Sequence, residues 1–295
     1  MRNNRREFIR DGAIAGAAML AAFRGREVAA APPAWPVGCF NRPWAKWPFA
    51  QTLASVKAAG YGITGLLTRT SLDPFIAADA PPDYLETLKR LIDSSGVAVN
   101  MAALGSRHDV PLDEAIKGLQ LQIDRAAYLG VKYAMTFGID QPDQYEHYFK
   151  AMAATAAYAQ EKRIQLVMKP HGGSSGASGE ILAAIKKVDH PNFKIWYDAG
   201  NIIYYTGKDP VAELEPIVQH VTGFCAKDCA EMKGDVMIQF GAGKVEFGRV
   251  FRALKAGGFS GPIMVECCAP GDTPDAIAAN AAANRAYLAA AMRAL

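Results

Sequence analysis

The stretch 164–201 decides the fold. It opens with the apolar run Ile164-Gln165-Leu166-Val167-Met168 and passes through Lys169-Pro170-His171-Gly172-Gly173. The amphipathic segment Ser178–Val188 follows. A second apolar run, Phe193-Lys194-Ile195-Trp196-Tyr197, then closes on Asp198-Ala199-Gly200-Asn201. Two short apolar runs flanking one helical segment read as a βαβ unit, with parallel strands covered by the helix.

The same alternation extends in both directions. Upstream, strands are expected at Val37–Phe40, Gly62–Leu67, Val97–Leu104 and Val131–Phe137. Helices are expected at Gln51–Ala59, Pro82–Ser94, Leu112–Leu129 and Pro142–Lys162. Downstream come a helix at Pro210–His220, a strand at Val221–Lys227, a helix at Phe247–Ala256, a strand at Pro262–Glu266 and a last helix at Thr273–Leu295. Eight strands and eight helices in strict alternation predict an α/β protein, a (β/α)8 TIM barrel forming a single domain over 35–295. That span is close to the ~250 residues typical of such a barrel. The competing architecture, an open doubly wound sheet, usually carries a Gly-rich phosphate turn after its first strand. Here that position reads Asn41-Arg42-Pro43-Trp44, so no nucleotide cofactor is expected.

Residues 1–34 read differently. Arg5-Arg6-Glu7-Phe8-Ile9 is a twin-arginine pattern, the weakly apolar run Ala13–Phe23 follows, and Val28-Ala29-Ala30-Ala31 offers a small-residue cleavage site. This order predicts a cleavable twin-arginine export signal with a short linker, a periplasmic mature protein and no stable membrane anchor after cleavage.

Composition narrows the function. With 51% apolar and 21% charged residues, the chain can bury a large core and is not disordered. Thirty-two basic against 29 acidic residues give a net charge of +3, too even for a nucleic-acid partner. The expected partner is a small molecule, with homo-oligomer formation left open. Five cysteines, Cys39, Cys225, Cys229, Cys267 and Cys268, form no CxxC framework, so most read as buried thiols.

In a (β/α)8 barrel the active site lies at the C-terminal ends of the strands. Four consecutive strand ends carry ionisable groups: Lys169 and His171, then Asp198, then Cys225, Lys227 and Asp228, then Glu266. Side chains alternate along a strand, so Lys169 shares a face with His171, and Cys225 with Lys227. Each residue alone has an ordinary structural explanation, but their convergence on one rim does not. Asp198, His171 and Glu266 form an oxygen and nitrogen donor set suited to Mn, Mg, Zn or Co. A divalent metal there would stabilise an enediolate, with a lysine or carboxylate moving the proton. The catalytic candidates are Lys169, Lys227 and Glu266. The metal candidates are His171, Asp198 and Glu266, with Cys225 a weaker fourth. Candidate substrate contacts are Arg42, Trp44, Trp47, His108, Asn201 and Asp228. Trp196 reads as core. His147, His190 and His220 fall in helices or opposite loops. Gly172, Gly173 and Gly200 would let the backbone approach a ligand.

The segments KPHGG (169–173), YDAGN (197–201), Lys227-Asp228, FGAGKVEF (240–247) and MVEC (264–267) together resemble the xylose-isomerase-like TIM-barrel superfamily of sugar phosphate isomerases and epimerases. The resemblance spans nearly all of 35–295. It implies a divalent metal held by Glu on strand five, Asp on strand six, His on strand seven and Glu on strand eight. Asp198 and Glu266 match the second and fourth, but Lys169 stands at the strand-five position and Cys225 at the strand-seven position. Three arrangements follow. A metal is kept by His171, Asp198 and Glu266; or Lys169 replaces the metal's charge; or the barrel only binds a sugar. The resemblance implies proton abstraction next to a carbonyl in an unphosphorylated sugar, keto-sugar or glycoside derivative, since export disfavours phosphorylated substrates. A keto-glycoside lyase or hydrolase of the same fold, or a non-catalytic periplasmic sugar-binding protein, is the alternative. The metal-dependent DNA-repair endonucleases that share the fold need more histidines than the five present and a basic surface.

Overall fold

The computed structural model describes residues 35–295, so the expected export signal at 1–34 lies outside the described residues. Eight strands, β1 (Val37–Cys39), β2 (Ile63–Leu66), β3 (Ala98–Ala103), β4 (Tyr133–Thr136), β5 (Gln165–Met168), β6 (Phe193–Tyr197), β7 (Val221–Ala226) and β8 (Ile263–Val265), run parallel in the order β1-β8-β7-β6-β5-β4-β3-β2. Adjacent strands are joined through α1 (Phe49–Ala58), α2 (Pro82–Ser95), α3 (Leu112–Tyr128), α4 (Tyr145–Glu161), α5 (Ser178–Val188), α6 (Ala199–Thr206) with α7 (Pro210–Leu214), and α8 (Phe247–Ala256). Helix α9 (Pro274–Arg293) follows β8. The eight-strand expectation holds, and the sheet is a nearly closed barrel.

Among the described residues no regular ladder joins β1 to β2. One backbone bond, from Asn41 N to Gly65 O at 3.3 Å, and several side-chain bonds bridge that seam. Asn41 Oδ1 accepts from the N–H groups of Leu67 and Thr68 at 2.8 and 3.0 Å, and its Nδ2 donates to Thr68 O at 2.7 Å. Thr64 Oγ1 donates to Cys39 O at 2.7 Å. A buried asparagine thus satisfies backbone groups that an open edge would strand without partners.

Two apolar layers follow from the strand period of two. Phe40, Met101, Met135, Val167, Trp196, Cys225 and Met264 pack inside the barrel. The alternate residues face the helices, as Leu166, Ile195, Phe224 and Ile263 do. Trp196 fits because its β7 neighbour is Gly223, where a Cβ would come within 2.2 Å of the indole. The core role expected for Trp196 is therefore correct.

The sequence reading missed one helix and misjudged two. Asp198 is extended and caps α6, accepting from Asn201 N at 2.8 Å, so the segment read as a strand end starts a helix. Pro216 divides the expected helix 210–220 into α7 and the 3-10 segment Glu215–His220. Pro142 opens a separate 3-10 turn, Pro142–Gln144, before α4 begins at Tyr145. No helix among the described residues is long and apolar enough to cross a membrane.

Candidate active site

The interior layer positions the site. Two residues beyond Phe40, Met135, Val167, Trp196, Cys225 and Met264 stand Arg42, Phe137, Lys169, Asp198, Lys227 and Glu266. The i, i+2 rule carries Phe137, Lys169, Asp198, Lys227 and Glu266 to the same face, one layer nearer the mouth, while Arg42 reaches it from the 3-10 turn Arg42–Trp44. Lys169, Asp198, Lys227 and Glu266 are almost wholly buried.

These groups form one network. Glu266 Oε1 accepts from Arg42 Nη1 at 2.8 Å and pairs with Lys227 Nζ at 2.7 Å, while Glu266 Oε2 accepts from Lys169 Nζ at 2.5 Å. Asp198 Oδ2 lies 3.3 Å from Lys169 Nζ and 3.2 Å from Lys227 Nζ. Lys227 also donates to Asn201 Oδ1 at 2.8 Å, and Asn201 Nδ2 donates to Pro170 O at 2.6 Å. Gly200 makes room for Lys227, because a Cβ there would sit 2.7 Å from the Lys227 carbonyl oxygen.

The electrostatics follow from burial and pairing. Burial pushes the Glu266 carboxyl up, but Lys169, Lys227 and Arg42 outweigh it and hold it well below the usual carboxylate range. Burial works against the Lys227 charge, yet Asp198 and Glu266 raise that ammonium above its ordinary value. His171 is pushed down to about 4, by burial first and then by Lys169 and Lys227. Its ring lies 5.5 Å from Phe137, and both ring nitrogens are 3.0 Å from the Tyr205 hydroxyl. A histidine that stays neutral in the fold but takes a proton when unfolded contributes stability fully above pH ~6.5, and that contribution is lost as pH falls toward 4. His171→Phe is therefore expected to flatten the stability profile within that window, as chemical denaturation at pH 7 and pH 5 will show.

Several expected roles change. Cys225 lies in the apolar interior layer beneath Lys227, and burial raises its thiol far above the ordinary value. It is not placed as a ligand. Trp44 is fully buried and donates from Nε1 to Pro274 O at 3.1 Å, so it packs core rather than contacting a sugar. Trp47 is half-buried and packs against the same outer core. Asn201 uses its amide to position Lys227 and Pro170, and is not free for a substrate.

Asp228 is a loop organiser rather than a substrate contact. Its carboxylate accepts from the backbone N–H groups of Cys229, Gly241, Gly243 and Val245 at 2.8 to 3.0 Å. Asp228→Ala is expected to cost about 3 kcal/mol by stranding these donors. Faster amide exchange at residues 241–245 is the accompanying sign. Gly173 likewise serves the chain itself, since its φ is +48° and a Cβ would meet Ile139 O at 2.3 Å.

His108 is not in contact with the charged network among the described residues. It lies 3.0 Å from Ser106 Oγ, and its ring is 5.9 Å from that of His147. His147 thus sits at the same end of the barrel, although its helical position suggested otherwise. The sequence reading also missed Tyr205 and Phe137. Tyr205 follows Asn201 by four residues on α6, a spacing that shares a helix face. Phe137 follows Met135 by two, and its ring centroid lies 5.6 Å from Lys169 Nζ.

A metal does not fit this donor set. Glu266 is already paired with Lys169, Lys227 and Arg42, Asp198 Oδ2 lies within ion-pair distance of both lysines without accepting a hydrogen bond, and a dication among three cations would be repelled. His171 is turned to Tyr205, and Cys225 is sunk in the apolar layer. Among the described residues no group of three His, Cys, Asp or Glu side chains is placed to hold a metal.

A parallel barrel whose mouth gathers acids and bases from consecutive strands defines the class of barrel enzymes with active sites at the strand C-termini. The chain belongs to the xylose isomerase-like TIM-barrel family, whose sequence profile matches residues 53–290. An L-ribulose-5-phosphate 3-epimerase of Escherichia fergusonii is similar, 24% identical over 236 residues that make up 73% of this chain and 81% of the relative. A xylose isomerase-like TIM-barrel protein of Mycobacterium smegmatis, solved in complex with magnesium, matches with a TM-score of 0.70 at 16% identity, over 88% of this chain and 97% of that one. A 3-keto-D-glucoside 4-epimerase of Escherichia coli matches with a TM-score of 0.66 at 15% identity, over 87% of this chain and 99% of that one.

Proposed function

We propose that the protein is an isomerase or epimerase that moves a proton next to a carbonyl in an unphosphorylated sugar, keto-sugar or glycoside derivative, with chain cations where relatives hold a metal. One observation carries this reading: Lys169 stands in the mouth layer beside Asp198 and Glu266, at the position where the family resemblance implies a glutamate ligand. The relatives' epimerase activities support the reaction class. The export pattern in residues 1–34 supports an unphosphorylated substrate met in the periplasm.

The network assigns roles. An ammonium ion has three N–H donors. Lys227 donates a hydrogen bond to Asn201 and is ion-paired with Asp198 and Glu266, so it is held as a positioning cation. Lys169 donates one hydrogen bond, to Glu266, and its contact with Asp198 is an ion pair without a hydrogen bond, so among the described residues two of its N–H groups are unfilled. One of them receives the substrate carbonyl oxygen and stabilises the negative charge that develops on it. The single Tyr205 hydroxyl can bond one His171 ring nitrogen at a time, which leaves the other to act as base: the C–H bond breaks, the proton passes to that nitrogen, and the electron pair moves onto the carbonyl oxygen as an enediolate. Return of the proton from His171 to the neighbouring carbon gives an isomer; an epimer forms when a second donor, a water or side chain on the opposite face, protonates the same carbon.

Solvent hydrogen exchange tests this reading. Incubation of wild-type protein in deuterated water with a panel of sugars, keto-sugars and 3-keto-glycosides is expected to place deuterium at one carbon next to the carbonyl. Binding without any exchange across the panel would leave the barrel a sugar-binding protein.

A further inference from the structure

The same network has a charge excess and a directed set of unfilled donors. Arg42, Lys169 and Lys227 face Asp198 and Glu266, which leaves one positive charge more than negative. His171 adds no charge at neutral pH, being held down to about 4 by burial and the two lysines. The remaining acid beside Lys227, Asp228, gives its carboxylate to four backbone N–H groups of the 229–245 segment. Asp140, next to the Gly172-Gly173 turn, is solvent-exposed.

Arg42 and Lys169 both carry unfilled donors. Among the described residues Arg42 uses one of its five N–H groups, from Nη1 to Glu266, and its side chain is 35% exposed. Lys169 keeps two. Both groups grip the same carboxylate, Arg42 through Oε1 and Lys169 through Oε2 of Glu266. The two cations therefore stand at one carboxylate. A guanidinium fork beside an ammonium matches a planar, two-oxygen anion. A single negative charge neutralises the excess, whereas a phosphate dianion would overshoot it beside two buried carboxylates.

We infer that the site selects a sugar acid, whose carboxylate seats between the free N–H groups of Arg42 and Lys169 next to the carbon that gives up its proton. This deepens the proton-transfer reading and rests on it for the reaction. A uronate, an aldonate or a keto-acid derivative of either belongs to this class. The carboxylate acts as the handle that orients the reacting carbon toward His171. The proton leaves carbon for the imidazole and returns to carbon, so no oxidant, reductant or further reactant is needed.

The test uses matched ligands. Wild-type protein and Arg42→Gln are titrated calorimetrically with neutral sugars, with the uronate and aldonate of each, and with the phosphate ester of each. Deuterium exchange is followed in the same mixtures, and melting curves show that the variant is folded. The expected result is that an acid binds about tenfold or more tightly than its neutral partner, as charge-paired contacts at binding sites allow. Arg42→Gln is expected to remove that preference and Arg42→Lys to restore part of it. Equal or tighter binding of the neutral partners, a preference for the phosphate esters, no binding of any acid, or a preference untouched in Arg42→Gln would each overturn the sugar-acid assignment. Exchange into neutral sugars alone, at the same rate in Arg42→Gln, overturns it while leaving the proton-transfer reading in place. Acid-selective binding without exchange upholds the anion seat and overturns the proton-transfer reading instead.

Discussion

Lys169→Met is expected to slow deuterium exchange by about a hundredfold to a thousandfold, the usual consequence of removing one preorganised donor from a developing oxyanion. The methionine keeps the length of the side chain and the contact with Phe137 but supplies no N–H. Lys227 and Arg42 remain to balance Asp198 and Glu266, two cations against two carboxylates, so the barrel is expected to stay folded. Loss of rate with an intact melting transition is thus the signature of a catalytic role. An unchanged exchange rate would remove Lys169 from the chemistry. The contrast with Lys227→Met sharpens the assignment. Lys227 is bonded to Asn201 and ion-paired with Asp198 and Glu266, so its loss is expected to act through displaced Asn201 and Glu266, lowering stability as well as rate.

The second large effect is on stability. Glu266→Gln removes the one carboxylate that touches Arg42, Lys169 and Lys227 together. Breaking a buried ion pair on one side typically costs about 3–5 kcal/mol, because the partner charges stay buried without compensation. The variant is therefore expected to lose both activity and several kcal/mol of unfolding free energy at neutral pH. The pH dependence gives an independent check. The Glu266 carboxyl is pushed up by burial, but Lys169, Lys227 and Arg42 depress it below its ordinary value. A depressed carboxyl contributes stability that is complete above its unfolded value of about 4.3 and declines as pH falls below it. Wild-type protein should lose stability steeply in acid, whereas Glu266→Gln lacks this contribution and should lose less between pH 5 and pH 3. Urea denaturation of both proteins at several pH values measures the difference. Parallel profiles would contradict the network as drawn.

The sequence carried the barrel and the rim because both depend on periodicity. Alternation of short apolar runs with amphipathic segments is set by the strand and helix repeats, and it placed all eight strands. Lys169, Asp198, Lys227 and Glu266 were legible as mouth residues because each ends a strand, and the i, i+2 rule then fixes the side on which it lies. What failed depends on distances in space. Asp198 as a helix cap, and the whole of α6, were hidden by an apolar stretch whose strand-like start ran straight into a helix. The cap signal, Asp before Ala199-Gly200-Asn201, is present at that strand end. Trp44 and Asn201 looked like mouth residues by position, yet both spend their polar atoms on Pro274, Lys227 and Pro170. The ligand set drawn from donor types could not show that two lysines already occupy the carboxylates. His147 was set aside as helical, although the first turn of a helix after a barrel strand also lies at the mouth.

Chain cations are proposed to stand where the family resemblance implies a divalent metal. The most direct test of this is one measurement: the solvent-exchange rate of protein stripped with a chelator, compared with the same protein after magnesium, manganese, zinc or cobalt is returned. Equal rates, with bound metal far below one equivalent, are the predicted result. One equivalent of tightly held metal that is required for exchange, and that is lost from Asp198→Ala, would contradict it.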